Sequence, residues 1–82
     1  MARRRRVKEE RPPPREVAVF DSSWLERGWY DAEHQLLELE FNDGVHVLYE
    51  GVSETEWADL RRAGSPGRYV RSIIERHPFR VR

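Results

Sequence analysis

The 82-residue sequence predicts an α+β fold: a three-stranded antiparallel β-meander followed by two short helices packed on one face, with a disordered basic N-terminal arm. Three patterns carry this prediction. From Gln35 to Tyr49 apolar residues alternate with polar ones around Asn42-Asp43-Gly44, as in a β-hairpin. Ser53-Glu54-Thr55-Glu56 has the form of a capping box, in which the Ser53 hydroxyl and the Glu56 carboxylate satisfy each other's backbone amides. Tyr69, Val70, Ile73 and Ile74 recur at spacings of one, three and four, the stripe of a buried helix face.

Burial selects the hairpin register. A two-residue loop at Asp43-Gly44 sets Phe41 beside His46 and Glu40 beside Val47, mixing the faces. A three-residue loop, Asn42 to Gly44, pairs Phe41 with Val45, Leu39 with Val47 and Leu37 with Tyr49. All six apolar side chains then share one side, and Gly44 supplies the bulge at a type I turn. Glu38, Glu40, His46 and Leu48 fall on the opposite side, expected to be solvated.

The first strand is expected within Ser22 to Asp31, turning through Asp31 to His34. Leu25 and Tyr30 are five apart and cannot share a face of a regular strand, so Gly28 is expected to mark a bulge. Trp24 is then the aromatic expected outside, because Leu25 competes for the inside. Val17 to Phe20 reads as a short edge strand or lead-in. After the hairpin, Trp57 and Leu60 share a face of the first helix, and Gly64 fits the residue just past its end. Ser65 and Pro66 open the second helix, with Arg68, Arg71 and Glu75 on its polar face. Pro78 ends it. Phe79 to Arg82 alternates but is too short to assign, a sheet edge or a frayed end.

Length allows one domain, with residues 1–16 as the arm and 17–82 as the folded part. Apolar content of 38% against 37% charged makes the core small, and the nine aromatic residues supply much of it. The absence of cysteine excludes disulfides and thiolate metal sites. No apolar run spans a bilayer, and none follows the basic N-terminus as a secretory signal requires, so the expectation is a cytoplasmic protein without membrane partners. Net charge is zero but segregated: residues 1–16 carry +4, residues 17–60 carry −10 and residues 61–82 carry +6. Such asymmetry bears on partners more than on fold.

The arm, MARRRRVKEERPPPR, has no apolar period, and its prolines favour an extended form. Three readings stand: a solvated tail, an anchor for nucleic acid through Arg3, Arg4, Arg5 and Arg6, or a strand of charge folded back on the acidic hairpin.

The stretch SSWLERGWYDAEHQLLELEF, a Gly-turn strand ending in an aromatic, and ETEWADLRRAGSPGRYV together resemble the KTSC domain. The resemblance covers Phe20 to Ile74. It rests on Ser22-Ser23, Leu25, Tyr30-Asp31, Leu37 to Phe41, Tyr49, Trp57 and Gly67-Arg68-Tyr69. Members occur at the C-terminus of some lysyl-tRNA synthetases and alone in small bacterial or phage proteins. The resemblance implies a compact meander with helices, and its supposed function is RNA or nucleic-acid binding. Three positions depart from the pattern. Val47-Leu48-Tyr49 stands for a Tyr-x-Tyr pair, Ser53 for a proline, and Trp29-Tyr30-Asp31 for Gly-Tyr-Asp.

Catalysis has little support. His34, His46 and His77 lie on a turn, a strand and a helix end with no metal-ligand spacing. Glu38 and Glu40 read as a solvated pair, not as a catalytic dyad. Ser22-Ser23 reads as a cap, and Ser65-Pro66-Gly67-Arg68 offers at most a helix N-terminus to an anion. No catalytic residue, cofactor or metal is predicted. The sharper expectation is nucleic-acid binding through Arg61, Arg62, Arg68, Arg71, Arg76, Arg80 and Arg82, with the arm arginines and Tyr49 and Tyr69. Guanidinium forks grip phosphate, and exposed aromatics stack unpaired bases. The competing expectation is that Arg61, Arg62 and Arg68 pair with Glu56, Asp59 and the acidic hairpin and that Tyr69 and Trp57 are core. The alternative function is a protein-interaction module with a sheet edge open to a partner strand or to weak self-association.

Overall fold

The computed structural model describes residues 15–82. Five strands and two helices follow one another: β1 (Glu16–Val19), β2 (Leu25–Asp31), β3 (Leu36–Phe41), β4 (His46–Glu50), α1 (Glu54–Arg62), α2 (Pro66–Arg76) and β5 (Phe79–Val81). The strands form one antiparallel sheet in the order β1-β2-β3-β4-β5. The expected α+β meander with helices on one side is present, but with five strands where the sequence predicted three. The two additional strands are short, four and three residues, and mostly exposed. Pairing to β2 and β4, not a burial pattern of their own, makes them strands. Arg3, Arg4, Arg5 and Arg6 lie outside the described residues, and Glu16, the last residue assigned to the arm, opens β1.

The β3–β4 hairpin takes the register that burial selects. Leu37 faces Tyr49 and Leu39 faces Val47. The Phe41 amide donates to Val45 O at 2.9 Å, and the Gly44 amide donates back to Phe41 O at 2.8 Å. Gly44 has φ +88°, the left-handed conformation that costs a residue with a Cβ and costs glycine nothing. The Asp43 carboxylate accepts from the Val45 amide at 3.1 Å and stiffens the turn. Leu37, Leu39, Val47 and Tyr49 are buried, while Phe41 is half-buried and Val45 sits exposed at the rim.

The bulge in β2 is real but lies elsewhere. Leu25 pairs with Phe41 and Arg27 with Glu40, so the extra residue is Glu26. This slip carries Leu25 and Tyr30 to the same buried side, as the sequence required. Gly28 is in regular register opposite Leu39. Its role is space: a Cβ there would come within 3.1 Å of Leu39 Cδ2, 3.2 Å of Phe20 Cε2 and 3.3 Å of Trp57 Cζ3.

Both halves of the capping box form at α1. The Glu56 amide donates to Ser53 Oγ at 3.1 Å, and the Ser53 amide donates to Glu56 Oε1 at 3.0 Å. The helix does not end on a left-handed Gly64. Ala63 leaves it in an extended conformation, and Gly64 has no positive φ. Pro66 opens α2 as expected, but the Ser65 hydroxyl makes no capping bond. The core gathers Leu25, Tyr30, Leu37, Leu39 and Tyr49 from the sheet with Trp57, Leu60, Val70 and Ile73 from the helices. Removing such side chains from water stabilises by about 1.5–3 kcal/mol each.

Gly28→Val should lower stability by about 1–3 kcal/mol, since Leu39 and Trp57 are fully packed and cannot give way. Urea unfolding followed by tryptophan fluorescence measures this, and an unchanged midpoint would refute the close packing.

Candidate functional site

The sheet face turned away from the helices is not the wet surface the alternation suggested. Glu38 is the one buried charged residue among those described, 8% exposed. Its carboxylate accepts from Arg15 at 3.1 Å, from Arg82 at 2.9 Å and pairs with His46 Nδ1 at 2.8 Å. Arg15 precedes the first strand and Arg82 follows the last, so one central carboxylate draws in both margins of the sheet. Burial pushes the Glu38 pKa up; the His46 and Arg15 hydrogen bonds and the charges of Arg82 and Arg15 outweigh it, and the net shift is downward. Beside it, Arg27 lies 3.2 Å from Glu40 and 5.6 Å over the Trp29 ring, and Trp29 stacks on His46. Alternation reports which side a residue faces. It does not report long arginine side chains arriving from both ends of the chain.

The candidate phosphate-binding arginines divide into two groups. Arg62 pairs with Asp59 at 2.7 Å, Arg76 with Glu56 at 2.9 Å, Arg80 with Glu50 at 3.5 Å and Arg82 with Glu38. Arg61 lies 3.7 Å from Glu16 and 5.4 Å over the Trp57 ring. Pairing with the protein's own acids, expected at Arg61, Arg62 and Arg68, is thus found at Arg61 and Arg62, extends to Arg76, Arg80 and Arg82, and does not occur at Arg68 among the described residues. Arg68 and Arg71 differ: both are exposed on α2, and neither forms an ion pair with another described residue.

Tyr49 is not a surface base-stacker. It is 3% exposed, and its side chain belongs to the core. Tyr69 is half-buried against that core, its hydroxyl pKa raised first by desolvation and then by Asp59 and Glu56. The aromatic beside the unpaired arginines is Trp24. It is half-buried, not fully outside, because its indole lies flat on Phe41, with ring centroids 5.3 Å apart and planes 8° from parallel. Trp24 is the wall between two open clefts. One, of about 480 Å³, is lined by Ser23, Phe41, Asn42, Val45 and Val47. The other, of about 350 Å³, is lined by Gly67, Arg68 and Arg71. Gly67 is required there: a Cβ would come within 2.5 Å of Trp24 Nε1. The sequence placed Trp24 and Arg68 more than forty positions apart, and only packing joins them.

The three histidines each face a carboxylate of their own: His34 with Asp31, His46 with Glu38 and His77 with Glu56. Among the described residues no group of three His, Cys, Asp or Glu side chains is arranged to hold a metal ion. No described helix is long and apolar enough to cross a membrane.

Fold and site together define a small antiparallel α+β module in which most cations among the described residues are held by its own acids. The chain belongs to the KTSC domain family, whose model matches residues 21–79. A protein of Tsukamurella paurometabola is 38% identical over 55 residues, covering 67% of this chain and 82% of the relative. A protein of Stutzerimonas stutzeri is 36% identical over 64 residues, covering 78% and 89%. The crystal structure of a KTSC domain protein from Yersinia pestis superposes with a TM-score of 0.72 at 26% identity, over 82% of this chain and 96% of that one.

Glu38 has its pKa lowered on folding, so its contribution is fully present above the unfolded carboxylate pKa and is lost as pH falls through the folded value. Glu38→Gln should cost about 1–3 kcal/mol at neutral pH. The difference from the parent should shrink in acid, as seen by chemical denaturation across the acidic range. A constant difference at all pH values would show that the charge is not what matters.

Proposed function

We propose that the protein binds single-stranded nucleic acid, RNA foremost, at the cleft formed by Arg68, Arg71 and Trp24. The observation that carries this reading is the partition of the C-terminal arginines. The two with no carboxylate partner among the described residues are three positions apart on one helix, and both border the same cleft as a half-exposed indole. Each guanidinium group offers a fork of donors to a phosphate, and an indole presents a face or edge to any base. The paired arginines are a reserve. An exposed ion pair contributes about 0–1 kcal/mol, so a phosphate competes with Glu50 or Asp59 on nearly equal terms. The arm arginines, Arg3 to Arg6, extend the same chemistry beyond the cleft.

A protein-interaction module remains the second reading, favoured by apolar side chains exposed on both sheet edges: Val17 and Val19 on β1, Phe79 and Val81 on β5. Binding of that kind survives high salt and is lost with a proline in the edge strand.

Affinity for an RNA single strand should fall steeply with salt, by about 0.7 in log–log slope for each phosphate contact. Arg68→Glu with Arg71→Glu should abolish binding, or leave a slope flatter by about 1.4, in a fluorescence-anisotropy titration. Trp24→Ala should weaken binding by about 1–3 kcal/mol where a base stacks there, with a thermal melt confirming the fold. No binding by the parent protein at about 50 mM salt would overturn the reading, because electrostatic attraction is strong there.

A further inference from the structure

We propose that the free edge of β1 pairs with β1 of a second copy of this chain, antiparallel across a two-fold axis at Ala18, joining two five-stranded sheets into one. The inference is independent of the nucleic-acid reading. It narrows the sheet-edge reading to one edge and one partner.

The two edges of the sheet are not equivalent. On β5 a two-fold pairing that keeps faces matched is centred on residue 79, 80 or 81. Centred on Arg80 it sets Arg80 against its own copy, and centred on Val81 it sets Arg80 against Arg82. Like charges directly opposite are destabilising. Centred on Phe79 it sets Val81 opposite His77, whose amide already donates to Ile73 O at 3.1 Å, so only the Phe79 pair can bond across. On β1 no such guard is present among the described residues. Val17 is 56% exposed and Val19 is 75% exposed, on the sheet face away from the helices beside Trp29 and Arg27.

The backbone selects the register. The Phe20 amide donates inward to Glu26 O at 3.0 Å. Hydrogen-bonding direction alternates along a strand, so Ala18 also turns toward β2, while the main-chain groups of Val17 and Val19 turn outward. An axis at Ala18 sets Val17 opposite Val19 of the second copy, and the reverse. The outward amides and carbonyls of these four residues then satisfy one another, and four valine side chains share one face. The same register sets Arg15 opposite Asp21 of the second copy, twice. Asp21 is exposed, and Arg15, 40% exposed at its side chain, would share its guanidinium between Glu38 and the Asp21 of the second copy. Glu16 falls opposite Phe20, on the helix side, and no like charges meet. Charge, apolar burial and hydrogen-bonding direction thus agree on one register. The seam is short, well under the size of a standard stable interface, which makes the dimer weak and concentration-dependent.

Sedimentation velocity of the full chain over rising concentration should show a reversible monomer–dimer equilibrium. Hydrogen exchange should slow at the Val17 and Val19 amides as dimer accumulates. Val17→Lys with Val19→Lys should leave the melt unchanged and the chain monomeric. Asp21→Arg, which replaces two opposite-charge pairs by two like-charge pairs, should weaken association about tenfold. A chain that stays monomeric at every concentration overturns self-pairing while leaving an edge site for a different protein standing. A dimer that the lysine variant leaves intact overturns it as well, and places association on another surface. Nucleic-acid affinity serves as the separate readout: it should not fall in the lysine variant at concentrations where both are monomeric, since two added cations can only raise electrostatic binding.

Discussion

The fold depends on Trp57 finding a flat floor. Its ring lies against Gly28, stacks on Tyr30 at 5.5 Å and meets Phe20 edge-on at 6.5 Å. Its Nε1 donates to Glu16 at 2.7 Å, which reaches across to the first strand, and Arg61 covers the ring's outer part. One indole therefore locks α1 to β1 and β2 together. In a chain of this size few residues are large enough to do this, and a Cβ at Gly28 would lift the helix off the sheet. The Glu26 bulge serves the same contact. It rotates Leu25 and Tyr30 to the inner side and leaves Gly28 under the ring.

Among the described residues the opposite side of the sheet has no helix, and a buried carboxylate takes its place. Glu38 is desolvated, which alone would be costly, and three cationic or hydrogen-bonding partners offset that cost. Because the partners come from before β1 and after β5, the arrangement also explains how two such short strands remain part of the sheet. Arg82 adds a backbone bond to His46 O at 2.8 Å, and the Glu50 amide donates to Pro78 O at 3.0 Å. The C-terminal strand is held at both of its ends.

The charge segregation visible in the sequence acquires two meanings in three dimensions. Most of the C-terminal arginines face the acidic middle and neutralise it, which is the ordinary fate of opposite charges in a small domain. Arg68 and Arg71, on the exposed face of α2, form no ion pair with another described residue, and there the positive charge is left over beside Trp24. The functional reading rests on that remainder, not on the total number of arginines.

Much of this was legible locally. The hairpin register followed from six apolar residues and one glycine, because a period of two leaves no other way to bury them. The capping box and the α2 stripe followed from spacing, because backbone amides at a helix start and side chains on a turn interact only with near neighbours. What stayed hidden was set by residues far apart in the chain. The place of the bulge depended on which residue Trp57 would tolerate beneath it. The burial of Glu38 depended on arginines from both termini, while the burial of Tyr49 was already implied by the hairpin register that argued against its role as a base-stacker. The sequence by itself determined the hairpin and the two helices, since those contacts span a few residues. Tertiary structure alone decided which arginines have no carboxylate partner among the described residues and where the sheet ends, since a charge or a strand is satisfied only by whatever the fold brings beside it.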